Sequence, residues 1–148
     1  MGLACSIVGM AAGASIAFIA PGLGYRWFMV AAPLAAFLSG CLLWLLLVVR
    51  PAAFTWQRGA CAGAFASVLA HYLCWYLMLA GTYLAELAVR PALSAGQGAP
   101  NLIQAVAAAG VFAAWSLALT GWLTLPVGAL LGAALASHQR RRRRAAKP

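Results

Sequence analysis

Apolar residues fall in four long blocks along this chain, and the polar positions lie between the blocks rather than alternating within them. The blocks cover about residues 3–20, 27–49, 60–85 and 104–136. They lack the two-residue alternation of a strand, and Ala and Leu outnumber β-branched residues, so each predicts a helix. A helix crossing a hydrocarbon layer of about 30 Å needs roughly 20 mostly apolar residues, and all four blocks approach or exceed that length. Turn residues close the first block at Pro21-Gly22-Leu23-Gly24 and the second at Arg50-Pro51.

Composition fixes the solvent. Of 148 residues, 66% are hydrophobic and 7% charged, and the mean hydropathy is +0.93. A soluble domain runs near half apolar and about a quarter charged. A chain of this size still leaves roughly 30% of its unfolded surface in water, so the excess cannot be hidden in a core. The expected fold is therefore all-α: a polytopic membrane protein whose four transmembrane helices form one bundle over residues 1–139. Residues 140–148 form a basic tail. No cleavable signal is visible, because the start lacks a basic region and Ala17-Phe18-Ile19-Ala20 is a poor exit site.

Charge sets the threading. Ten Lys and Arg face one acid, Glu86, for a formal net charge of +9. Six of the ten lie in the last nine residues: Arg140, Arg141, Arg142, Arg143, Arg144 and Lys147. Loops on the cytoplasmic side keep their basic residues, which puts this tail inside, and four crossings then put the N-terminus inside too. The Arg50–Arg58 loop falls on the same side, and only Arg26 and Arg90 lie outside. Trp27 and Trp56 stand beside the inferred interfaces. A bacterial-type inner membrane is the expected location. The tail's expected partner is anionic lipid headgroups, and no nucleic acid is called for.

Lipid tails are as apolar as Leu, so helices in a bilayer associate through small residues and a few hydrogen bonds. Gly9/Gly13, Gly59/Gly63 and Gly128/Gly132 are Gly-x-x-x-Gly pairs, and Gly40 follows Ala32 and Ala36 at the same spacing. They suit packing within one bundle, the preferred reading, or an oligomer seam. Pro126 interrupts the hydrogen-bond ladder of the fourth helix and predicts a kink there.

Most candidate chemistry falls on the third helix. At about 100° per residue, Ser67, His71, Cys74, Met78, Thr82 and Glu86 lie within about 60° of one line, a polar stripe expected to face the bundle interior. Tyr72, Trp75, Tyr76 and Tyr83 form an aromatic face beside it. Glu86 precedes Arg90 by four residues, the favourable order for an interfacial ion pair. His71 falls near the midplane, where its ring needs a partner on a neighbouring helix, a quinone, a metal or a proton path. His71, Cys74 and Met78 form a weak three-ligand set for Cu(I). Haem would need a second chain, because His138, the other histidine, adjoins the tail.

Several chemistries are disfavoured. The chain has no Asp, no Cys-x-x-Cys and no phosphate-binding glycine loop. The leading expectation is a small inner-membrane protein without catalytic machinery, either an accessory or assembly subunit or a small-residue-packed homo-oligomer. Two rivals stand beside it. One is a quinone- or cofactor-binding redox anchor centred on His71. The other is a small-solute or ion transporter using His71, Thr82 and Glu86.

Overall fold

The computed structural model describes residues 1–19, 27–52, 54–89 and 101–145. They form four helices: α1 (Gly2–Ile19), α2 (Phe28–Trp44, continued by a wider turn over Leu45–Val49), α3 (Trp56–Val89) and α4 (Leu102–Ala145). All four are long and apolar enough to cross a membrane. Among the described residues there is no strand.

The helix ends follow from local chemistry. In the wider turn the Arg50 N–H donates to the Leu45 carbonyl five residues back, at 2.9 Å. Pro51 follows and has no N–H to continue the ladder, while Arg50 before it keeps helical angles (φ −62°, ψ −42°). The chain reverses through Ala52, whose φ of 51° is left-handed. Thr55 then caps α3, its Oγ1 accepting the Arg58 N–H at 3.3 Å. A reciprocal capping box opens α4: Asn101 Oδ1 accepts the Gln104 N–H at 2.9 Å, and Gln104 Oε1 accepts the Asn101 N–H at 3.2 Å.

The third and fourth helices extend past their expected bounds at both ends. The third helix begins at Trp56 rather than near 60, and the fourth begins at Leu102 and continues through Pro126 to Ala145. Arg140–Arg143 lie on the last turns of α4. At 1.5 Å per residue the 44 residues of α4 span about 66 Å, far more than a hydrocarbon layer requires.

The helices pack in chain order: α1 on α2, α2 on α3, and α3 on α4. Among the described residues no extended contact joins α1 to α4, so the arrangement is an open row. Met1, Trp44, Val48, Phe54, Ala62, Leu135 and Ala136 form one apolar cluster, so α1 begins and α4 approaches its end at the same end of the row. Large apolar side chains line the outside. Ile7, Phe18, Ile103, Val111, Trp122 and Leu130 are all at least 70% exposed, which suits lipid contact.

Candidate functional site

Two seams built on a four-residue repeat hold the row together. In the first, Gly2, Gly9 and Gly13 of α1 meet Phe28, Ala32, Ala36 and Cys41 of α2, and Gly40 packs on Cys5. In the second, Gly59, Gly63, Ser67 and His71 of α3 run antiparallel to Gly132, Gly128, Thr124 and Ser116 of α4. A Cβ on Gly63 would fall on the Gly128 carbonyl oxygen, and one on Gly132 on the Gly59 carbonyl oxygen. Backbone thus touches backbone across the seam, which only glycine permits. All three Gly-x-x-x-Gly pairs are spent between helices of the same chain.

The seam turns polar where the glycines stop. Ser67 Oγ lies 3.1 Å from both the Gly63 carbonyl of its own helix and the Thr124 carbonyl of α4. One turn on, His71 Nδ1 lies 2.8 Å from Ser116 Oγ, and Nε2 lies 3.1 Å from Thr124 Oγ1. Thr124 Oγ1 also lies 3.2 Å from the Thr120 carbonyl; with its hydroxyl donating there, it accepts from Nε2–H and leaves Ser116 to donate to Nδ1. A neutral imidazole is fully satisfied in this arrangement.

The expected polar stripe does not share one environment, which corrects the sequence reading. Ser67 and His71 face α4, whereas Cys74 and Met78 pack against Phe28, Ala31 and Ala35 of α2. Thr82 is exposed and donates to the Leu79 carbonyl at 2.8 Å, and Glu86 is exposed near the end of the helix. The partner changes along α3 rather than around it: at about 100° per residue Met78 falls between Ser67 and His71 in direction, yet it lies two to three turns further along the helix, where α2 is the neighbour. The copper trio is likewise split between α4 and α2. Among the described residues no group of three His, Cys, Asp or Glu could hold a metal. The four cysteines are free thiols. Arg90, Lys147 and the side chain of Arg144 lie outside the described residues.

The aromatic face divides as well. Trp75 meets Phe28 of α2 edge-on at 5.3 Å and stacks on Phe112 of α4 at 4.8 Å, bridging three helices. Tyr72 donates to the Val106 carbonyl at 3.2 Å, while Tyr76 and Tyr83 are half-buried. Behind Phe112, a depression of about 680 Å³ opens on the outer face of α4, lined by Val111, Phe112, Ala114, Trp115 and Ala118. The indole nitrogen of Trp115 is the one side-chain polar atom among these lining residues.

Sequence reasoning missed the residues that complete the node on α4. Ser116, Thr120, Thr124, Gly128, Gly132 and Ala136 recur every four residues, a single row of small and hydroxylic side chains. Extending the Gly128/Gly132 spacing backward finds it. Ser39, fully buried on α2 and donating to the Ala36 carbonyl at 3.2 Å, was also missed. No family model, curated protein or solved structure matches the chain.

Proposed function

We propose that this chain is a membrane-embedded, non-catalytic helical subunit that serves as an accessory or assembly element for a membrane partner or a further copy of itself. One observation carries the reading: His71 commits both ring nitrogens to Ser116 and Thr124, leaving neither to bind a quinone or a metal. The half-buried ring acts as a bolt between α3 and α4. In addition, every buried side-chain polar atom among the described residues has a hydrogen-bond partner. The transport reading loses its line of residues, because Thr82 and Glu86 sit exposed beyond the node. Because the glycine pairs are consumed within the chain, association falls to the open faces of α1 and α4.

The test combines native mass spectrometry of the full chain released from nanodiscs with flux and cofactor assays on the same preparation. A defined oligomer or a stoichiometric companion is expected, with no bound quinone and no ion or solute flux that depends on His71. A strict monomer, or a preparation whose flux or bound quinone disappears in His71→Ala, would overturn the reading.

A further inference from the structure

The Arg143 guanidinium lies 3.9 Å from the centre of the Phe54 ring. Phe54 is itself buried with Trp44 and Val48 at the end of the row, so the last turns of α4 are pinned over the α2–α3 connection. This gathers charge that the sequence scatters. Arg50 and Arg58 each stand four residues from Phe54, so chain reach keeps both within about 14 Å of it along the backbone. Arg140, Arg141 and Arg142 occupy the same turn of α4 as Arg143, and all six arginines have exposed side chains. The chain's single side-chain carboxylate, Glu86, lies 28 residues beyond Arg58 on α3, about 42 Å away along the helix. Six like charges thus stand at one end with no side-chain carboxylate beside them among the described residues, an arrangement that attracts anions.

Depth selects the anion. Trp56 is 58% exposed at the start of α3, two residues from the Phe54 ring that holds the guanidinium. Tryptophan is enriched at the headgroup level of a bilayer, where lipid phosphates lie. We propose that Arg50, Arg58 and Arg140–Arg143, assembled by the Arg143–Phe54 contact, form a composite site for the phosphates of anionic phospholipids. The site differs from a free basic tail in two respects: the loop arginines belong to it, and it depends on the aromatic ring.

The experiment is lipid retention by the full chain, read by native mass spectrometry after release from nanodiscs of equal phosphatidylglycerol and phosphatidylcholine. The wild type should retain phosphatidylglycerol at least tenfold over phosphatidylcholine. Each near-surface arginine removed should lower that preference by roughly fivefold. R50Q/R58Q leaves the apolar cluster untouched and should cut the preference more than tenfold, as should R140Q/R141Q/R142Q. F54L keeps every charge and should lower it severalfold. Equal retention of the two lipids by the wild type overturns the proposal. So does an unchanged preference in R50Q/R58Q, which would leave only a free tail. Tighter binding of an RNA oligonucleotide than of phosphatidylglycerol, measured in phosphatidylcholine nanodiscs, also overturns it.

Discussion

His71 and Ser116 meet across the α3–α4 seam with Nδ1 and Oγ 2.8 Å apart, and Thr124 Oγ1 holds the opposite ring nitrogen at 3.1 Å. The pair resembles a nucleophile beside its base, but here the hydroxyl and the imidazole hold helices together. Polar contacts of this kind in a bilayer contribute on average about 0.6 kcal/mol and at most about 1.7.

His71→Ala removes both contacts and should lower the stability of the folded chain by about 1–2 kcal/mol. Thr124→Val removes one and should cost about half as much. The double variant should cost less than the sum, because both substitutions break the same bond. Unfolding in bicelles measures the cycle. Nitrogen-15 spectra of the ring should show the proton on Nε2; a proton on Nδ1 contradicts the assignment.

The two glycines Gly63 and Gly81 share a helix and should respond in opposite directions. A methyl at Gly63 meets the Gly128 carbonyl, and neither backbone can yield without opening the seam. Gly63→Ala should therefore cost about 1–3 kcal/mol or more. Nothing lies within 4 Å of a methyl at Gly81, so Gly81→Ala should be neutral or stabilising by up to about 1 kcal/mol. Thermal inactivation of the two variants side by side checks the contrast.

Trp75 should cost far more to lose than Trp122. Its edge contact with Phe28 and its stack on Phe112 tie α2 to α4 through α3. Two aromatic pairs are together worth about 1–3 kcal/mol beyond area. Trp75→Ala should lose at least that much, whereas Trp122→Ala, at a side chain 75% exposed, should change stability by less than about 0.5 kcal/mol.

Accessibility should place the start of α1 and the end of α4 on one face of the membrane. In a chain whose native cysteines are replaced, Leu3→Cys and His138→Cys should react with an impermeant thiol reagent from the same side. Reaction from opposite sides would mean an odd number of crossings and would break the arrangement in which Met1 and Leu135 pack on one cluster.

The four helices were legible because the signal for them is local and additive: a count of apolar residues against the thickness of a hydrocarbon layer. Helix starts were less legible, although the Asn101–Gln104 capping box was available as a four-residue pattern. Which way each helix faces was hardly legible at all. In water an amphipathic stripe marks the buried face, because burying it releases apolar surface. In lipid every face is apolar and the surroundings match the interior, so the sequence carries no such mark. His71 turned to α4 and Cys74 to α2 because glycine backbones on α3 and α4 fit closely enough to bring Ser116 and Thr124 within hydrogen-bonding reach. The sequence alone determined the solvent, the number of helices and the clustering of charge. The tertiary structure decided the seams, the partners of His71 and the docking of Arg143 on Phe54, because those depend on how two surfaces fit and not on what either contains.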